Sequence, residues 1–311
     1  MTGWVIVWLL VGLVLIVLGA DSLVDGSSSV ARRLKVSEFV IGLTIVGMGT
    51  SAPEMVVSWL GAIKGSSDIA LGNVLGSNIF NTLLILGLTA IILPIGITGN
   101  NKKFDIPMNI FVTAVFIAFG LVDRVISRFD GALFLALFAG YMWLSFKKQE
   151  KEEEVREVDE IPVWRAVVMI LLGLGGLVVG GNLFVNNATV IAQALGVSDK
   201  FIAITLLAGG TSLPELATCV VAAAKKKGAL ALGNIIGSNM FNLLLIVGGS
   251  ALIHPLAFGG FSLVDLGVLA LSSVVLLTSA FIGKKDKIDR LDGALFVAIW
   301  VAYMTYLVIN I

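Results

Sequence analysis

The sequence predicts an all-α polytopic membrane protein of ten transmembrane helices arranged as two inverted five-helix repeats, from three observations: composition, the length of the apolar runs, and an internal duplication. Hydrophobic residues occupy 58% of the 311 positions and charged ones only 14%, against roughly 45–50% and about 25% in soluble domains. The apolar residues fall into runs of about 20, the length a helix rising about 1.5 Å per residue needs to cross the hydrocarbon core. That combination argues against a soluble fold. The formal net charge is zero, so total charge argues neither for nor against an acidic or basic partner, and no nucleic-acid partner is expected. A single cysteine, Cys219, rules out an internal disulfide framework.

Polar and Gly/Pro punctuation divides the chain into spans at about 3–30, 38–63, 68–94, 105–123, 129–147, 162–192, 199–224, 229–254, 262–283 and 290–309. The first run, from Gly3 to Ala20, has no basic residue before it, so it reads as a retained helix rather than a secretory signal. With ten crossings the loops alternate sides. One side then collects 17 of the 21 Lys and Arg residues, and the other only Lys64, Arg124, Arg128 and Lys200. The positive-inside rule therefore places both termini outside and the central loop in the cytoplasm of a multi-pass cell (inner or plasma) membrane protein, with the lipid bilayer as its surroundings.

At an offset of 161 residues, Val40 to Glu54 (VIGLTIVGMGTSAPE) aligns with Phe201 to Glu215 (FIAITLLAGGTSLPE) at seven of fifteen positions. Ala70 to Leu84 (ALGNVLGSNIFNTLL) aligns with Ala231 to Leu245 (ALGNIIGSNMFNLLL) at eleven of fifteen. Ser37/Ser198 and Pro94/Pro255 keep the same offset, and DGALF at 130–134 returns at 292–296. The organisation is thus a first repeat at 1–148, an acidic cytoplasmic linker at 149–161 and a second repeat at 162–311. Five helices per half is an odd number, so the second half enters the membrane inverted, an architecture in which transporters bind their substrate at the repeat interface near the midplane. The linker's acids are interspersed with Lys and Arg and read as a solvated tether.

Of 21 acidic residues, only Glu54 and Glu215 fall at the centre of a span. A charged carboxylate there costs roughly 2.5–3.5 kcal/mol on insertion scales, so it marks function by default. No Lys or Arg lies in the middle of a span to neutralise the pair. The two acids must be protonated, hydrogen-bonded or compensated by a bound cation, which disfavours an anionic substrate. Thr50 and Ser51 precede Glu54 at helical spacing, and Thr211 and Ser212 precede Glu215 in the same way. Ser77 and Asn81 in the third span, and Ser238 and Asn242 in the eighth, repeat an i, i+4 pair of oxygen-bearing side chains.

Pro53 and Pro214 free the carbonyls of Gly49 and Gly210, and the neighbouring Gly47, Ala208 and Gly209 let the backbone unwind. Carboxylate, hydroxyl, amide and carbonyl oxygens suit a hard cation, Ca²⁺ or Na⁺. A formal charge of −2 matches one Ca²⁺ or a small number of Na⁺ ions, so two ions can compete for one site. Glu54, Glu215, Thr50 and Thr211 are the expected metal ligands.

Other polar residues read as structural. Gly72/Gly76 and Gly233/Gly237 have the small-xxx-small spacing of helix packing, and Asn73, Asn78, Asn234 and Asn239 read as helix-to-helix hydrogen bonds. Asp21 and Asp25, whose repeat partners are Asn182 and Asn186, read as an interfacial pair near Arg32 and Arg33. His254 reads as interfacial, and Cys219, one turn from Glu215, as a small core residue.

The paired motifs GTSAPE (49–54) with GNVLGSNIFN (72–81), and GTSLPE (210–215) with GNIIGSNMFN (233–242), resemble the two alpha-repeats of the calcium/cation antiporter superfamily, most closely the prokaryotic sodium/calcium exchangers. The resemblance covers the whole chain. It implies a secondary active antiporter, not an enzyme, that exchanges Na⁺ for Ca²⁺ by alternating access. Glu54 and Glu215 would bind both ions, with Thr50, Ser51, Ser77, Thr211, Ser212 and Ser238 assisting and the carbonyls of Gly47 and Ala208 completing the sodium sites. The first and sixth helices would slide against the rest. Ca²⁺ and Na⁺ are transported ions on this reading; no cofactor and no obligate protein partner are expected. One departure is that Asn242 stands where many members carry aspartate, which removes a protonatable group. K⁺-dependent or H⁺-coupled Ca²⁺ exchange is the alternative within this class, and a passive cation channel the alternative outside it. An intramembrane hydrolase would need a base such as histidine, and the lone His254 lies at a span edge.

Overall fold

The computed structural model describes residues 3–148, 161–196, 208–259, 262–282 and 286–310. The helices in chain order are α1 (Gly3–Leu34), α2 (Glu38–Thr50), α3 (Ala52–Ile63), α4 (Ser67–Ile92), α5 (Asn101–Asp123), α6 (Arg128–Lys147), α7 (Val163–Ala194), the shorter α8 (Leu213–Ala224), α9 (Gly228–Ile253), α10 (Leu263–Phe281) and α11 (Arg290–Asn310). Among the described residues, eight of these are long and apolar enough to cross a membrane, and α2 with α3 makes a ninth candidate bent by 49°. α8 and the turn Ala208–Gly210 before it form the later part of the span expected at 199–224. Residues 199–207, the linker at 149–160, Ser198 and Lys200 lie outside the described residues.

Where both can be compared, the ends differ from the expected ones by four residues or fewer. α1 runs on to Leu34 because Arg32 and Arg33 in its last turn complement the negative end of the helix dipole, and the helix does not stop where the apolar stretch does. α5 begins early, in a π-helical stretch (Asn101–Asp105) whose Asp105 carboxylate accepts from the Asn100 and Asn101 side-chain amides and from the Tyr141 hydroxyl.

Two short ladders join loops from opposite halves. β1 (Ile95–Gly96) pairs antiparallel with β4 (Lys287–Ile288), and β2 (Val125–Ile126) with β3 (Leu256–Ala257). Each ladder joins two loops that ten alternating crossings put on one side.

The most apolar stretch of α9 is 94% buried and that of α4 67%, against 11% for α11 and 22% for α1. α4 and α9 are therefore the centre, and the outer helices turn apolar faces outward, as lipid contact requires. α1 and α7 form a long peripheral pair through glycines. A Cβ at Gly12 would lie 2.8 Å from the Gly180 carbonyl oxygen, one at Gly19 2.8 Å from that of Gly173, and one at Gly26 2.8 Å from that of Ala166. Numbers rise on one helix as they fall on the other, so the two run antiparallel.

Close backbone approach also joins α2 to α9, where Gly233 faces the Phe39 carbonyl and Gly237 that of Leu43. The packing expected at Gly233 and Gly237 is thus present, whereas nothing lies within 4 Å of a Cβ placed at Gly76.

Asp21 and Asp25 do not pair with Arg32 or Arg33. The Lys225 ammonium lies 2.6 Å from Asp21 and 2.8 Å from Asp25, and Lys227 lies 3.3 Å from Asp25. α1 packs along α8, which brings the basic turn after α8 beside the two acids, while Arg33 reaches the Ile161 carbonyl instead. Partial burial works against the charge on Lys225, but the carboxylates of Asp21 and Asp25 outweigh it and raise its pKa. His254 is exposed, with its Nδ1 2.8 Å from the Pro255 carbonyl oxygen.

Candidate cation-binding site

The site begins with a break in the helix. Ser51 separates α2 from α3 with φ −81° and ψ 7°, and Ser212 precedes α8 with φ −90° and ψ 7°. Pro53 and Pro214 stand in the first turn after each break, where a missing N–H costs nothing. Glu54 and Glu215 therefore sit in the first turns of α3 and α8, where the positive end of the helix dipole favours a carboxylate. Both are buried, at 0% and 1% exposure, so their charge must be met locally.

The two halves meet across these acids. The Ser51 hydroxyl donates to Glu215 Oε1 at 2.8 Å, and the Ser212 hydroxyl donates to Glu54 Oε1 at 2.9 Å and also lies 3.2 Å from Ser77 Oγ. Ser51 lies three residues before Glu54 and Ser212 three before Glu215, yet the structure pairs each serine with the opposite glutamate. The break turns Ser51 and Ser212 toward the facing half, and helical spacing identifies a shared face without identifying the partner.

Gly47 contributes a carbonyl that accepts from the Ser51 N–H at 3.1 Å and, more distantly, from the hydroxyls of Thr50 and Ser238, each at 3.4 Å. Ala208, its repeat counterpart, opens the turn Ala208–Gly210. Asn81 and Asn242 lie in two matching π-helical stretches, Phe80–Ile85 and Phe241–Ile246, which re-aim side chains within otherwise α-helical spans. The Asn81 side-chain amide donates to Asn239 Oδ1 at 3.2 Å, and that of Asn239 to Thr82 Oγ1 at 2.9 Å.

Among the described residues, Glu54 Oε2, Glu215 Oε2, Asn81 Oδ1 and both amide atoms of Asn242 are buried without a hydrogen-bond partner. Buried polar atoms are normally paired, so these unpaired oxygens, two of them on carboxylates, are chemically suited to a cation. No ion pair reaches either glutamate among the described residues, and none of these residues forms a group of three or more His, Cys, Asp or Glu. Two carboxylates among neutral oxygens fit a hard cation better than Zn²⁺ or Cu⁺.

Four further side chains belong to this network. The Asn73 side-chain amide donates to Ser58 Oγ and to the Glu54 carbonyl, both at 3.0 Å, and its Oδ1 accepts from the Thr211 hydroxyl at 3.5 Å. The Asn234 amide donates to Cys219 Sγ at 3.2 Å, and its Oδ1 accepts from the Thr50 hydroxyl at 3.2 Å. Asn73 and Asn234 were legible as a repeated pair of intramembrane amides, but nothing in their spacing pointed to the threonine of the other half. Cys219 is fully buried, as expected of a core residue, yet its sulfur is bonded into the network.

A profile of the family described as "Sodium/calcium exchanger protein" matches residues 4–147 and 165–309, nearly the whole chain. The chain belongs to the sodium/calcium exchanger protein family. Among family relatives, it is 40% identical over 311 residues to the putative antiporter CaxA of Alkalimonas amylolytica, covering 96% of each chain. It is 33% identical over 341 residues to the sodium/calcium exchanger MaX1 of Methanosarcina acetivorans, covering 96% of this chain and 97% of that one. The solved sodium-calcium exchanger NCX_Mj, soaked with 10 mM Na⁺ and zero Ca²⁺, superposes with a TM-score of 0.86 at 36% identity over 98% of this chain and 99% of the other. The exchanger family's helical membrane fold is therefore the fold of this chain, and the class of activity it supports is cation exchange by a transporter.

Proposed function

We propose that this chain is a Na⁺/Ca²⁺ antiporter in which Glu54 and Glu215 bind either Ca²⁺ or Na⁺ at one midplane site. The observation that carries the reading is the cross-bonded pair of buried glutamates, each accepting a serine hydroxyl from the opposite half and each keeping one oxygen unpaired. The carboxylates supply a charge of −2. Thr50, Thr211, Ser51, Ser212, Ser77, Ser238, Asn81, Asn242 and the carbonyls of Gly47 and Ala208 supply neutral oxygens toward the 6–8 that Ca²⁺ takes. One Ca²⁺ or a few Na⁺ satisfy the charge, never both together, and that competition is what couples the two fluxes.

The ten-span inverted repeat belongs to the same proposal. It is supported by the antiparallel course of α1 and α7, by the two ladders and by the ion pair of Lys102 with Asp286, all of which join matching or same-side elements of the two halves. α1 and α7, held to each other through their facing glycines, slide as a pair against the other helices to open the site to one side and then the other. Both termini lie outside the cell membrane, and the linker lies in the cytoplasm. The names of MaX1 and NCX_Mj support the choice of ions.

The test is ⁴⁵Ca²⁺ uptake into Na⁺-loaded proteoliposomes diluted into K⁺ or choline medium. Uptake that needs internal Na⁺ and vanishes in Glu54→Gln and Glu215→Gln is the expected result. Dependence on a pH or K⁺ gradient instead reassigns the coupling ion, and gradient-independent flux makes the protein a channel.

A further inference from the structure

A hydroxyl that ligates a cation must turn its lone pair to the ion and send its proton elsewhere. At Ser51 and Ser212 the proton goes to a glutamate. For Thr50 the nearer acceptor is the Asn234 side-chain oxygen at 3.2 Å, ahead of the Gly47 carbonyl at 3.4 Å, and for Thr211 the Asn73 side-chain oxygen lies at 3.5 Å; each asparagine is held by a directional chain present once in each half.

In the first chain, the Ser58 hydroxyl donates to the Ala70 carbonyl at 3.2 Å, Asn73 Nδ2 donates to Ser58 Oγ, and Thr211 donates to Asn73 Oδ1. In the second, the Cys219 thiol donates to the Ala231 carbonyl at 3.7 Å, Asn234 Nδ2 donates to Cys219 Sγ, and Thr50 donates to Asn234 Oδ1. Every residue of one chain lies 161 positions from its counterpart.

The backbone carbonyl at the start of each chain can only accept, so the direction of every later bond follows from it. Ser58 or Cys219 must donate there, which leaves its lone pairs for the amide N–H. The amide oxygen then faces the threonine, whose proton is drawn off the ion site. Reversing the amide would aim N–H at the threonine and drive the hydroxyl proton toward the cation.

We propose that Asn73 and Asn234 are positioning residues that aim the oxygens of Thr211 and Thr50 at the transported cation, and that Ser58 and Cys219 lock the orientation of each amide. The proposal rests on the reading of Thr50 and Thr211 as ligands. Substitution of sulfur for oxygen makes the two locks unequal, because a thiol is a weak donor and acceptor. Asn73 also holds the Glu54 carbonyl, whereas the amide N–H of Asn234 has the thiol as its acceptor among the described residues.

The experiment is ⁴⁵Ca²⁺ binding to the full-length detergent-purified chain, with thermal melting as the folding control. Losing one neutral hydrogen bond in the lock is worth about 3- to 10-fold in half-saturating Ca²⁺. Asn234→Ala raises it by that amount in wild type and leaves it nearly unchanged in a Thr50→Val background, because the residue acts through Thr50. Cys219→Ala weakens binding more than Ser58→Ala, and Cys219→Ser retains wild-type affinity or improves it.

Multiplicative effects of Asn234→Ala and Thr50→Val overturn the positioning role. Equal affinity in Cys219→Ala and wild type overturns the lock. Unchanged binding in Thr50→Val alone refutes the ligand reading beneath both, and so separates that failure from the other two.

Discussion

Gly237→Ala probes the contact that sets the height of α2 against α9. A Cβ at 237 would lie 2.7 Å from Leu43 Cα and press on the Leu43 carbonyl, where ordinary contact begins at 3.4 Å. Both obstacles are backbone, so no rotamer relieves them. α2 must retreat by at least about 0.7 Å, and such overpacking costs about 1–3 kcal/mol. The gain in helix propensity on replacing glycine offsets at most about 1 kcal/mol of it. The retreat moves Leu43 and, four residues on, Gly47, whose carbonyl faces the Ser238 hydroxyl next to the substituted position. The variant therefore melts lower and binds Ca²⁺ about tenfold more weakly, equivalent to about 1.4 kcal/mol. Gly175→Ala, with nothing within 4 Å of its added Cβ, is the control and melts at or above wild type. Melting curves and ⁴⁵Ca²⁺ binding on the purified proteins decide it. A Gly237→Ala protein that melts like Gly175→Ala and binds like wild type would refute the argument.

Pro53→Ala restores an N–H that can bond the Gly49 carbonyl, so the 49° bend between α2 and α3 relaxes and Na⁺-dependent uptake falls; a crystal structure of the variant with the bend unchanged contradicts this. Ser51→Ala and Ser212→Ala each strip a donor from the opposite glutamate at nearly equal distances, 2.8 and 2.9 Å. The two should weaken Ca²⁺ binding alike, by about 3- to 10-fold, and a large inequality between them counts against a shared site. Asp25→Asn should cost no more than about 1 kcal/mol, because its partners are part-exposed and salt screens them; its melting deficit should shrink in high salt. Because the folded-state pKa of Lys225 is raised, the stability it adds is complete below the ordinary lysine pKa and is lost as pH rises through the folded value. The melting gap between wild type and Lys225→Met should therefore close at strongly alkaline pH.

The spans were legible because a bilayer demands long apolar helices, and Glu54 and Glu215 because a carboxylate at mid-span is too costly to be incidental. The ends of α1 and α5 were less so, since dipole-compensating arginines and a π-helical stretch extend each helix beyond its apolar run. Partners across the halves were hidden. Spacing put Thr50 on the face of Glu54 and Ser51 on the adjoining edge, but the break at Ser51 hands Ser51 to Glu215. Asp21 and Asp25 had Arg32 and Arg33 as sequence neighbours, but packing of α1 on α8 supplies Lys225 and Lys227. The π-helical stretches around Asn81 and Asn242 have no Pro or Gly to announce them. Their repetition at an offset of 161 residues is visible only once the structure supplies the first of them.

The most direct measurement of one shared site is equilibrium ⁴⁵Ca²⁺ binding to the purified chain at rising Na⁺, in wild type, Glu54→Gln and Glu215→Gln. The account predicts one Ca²⁺ per chain, displaced competitively and steeply by Na⁺, with binding lost in either variant. Calcium that stays bound at saturating Na⁺, or that binds equally well to both variants, would contradict it.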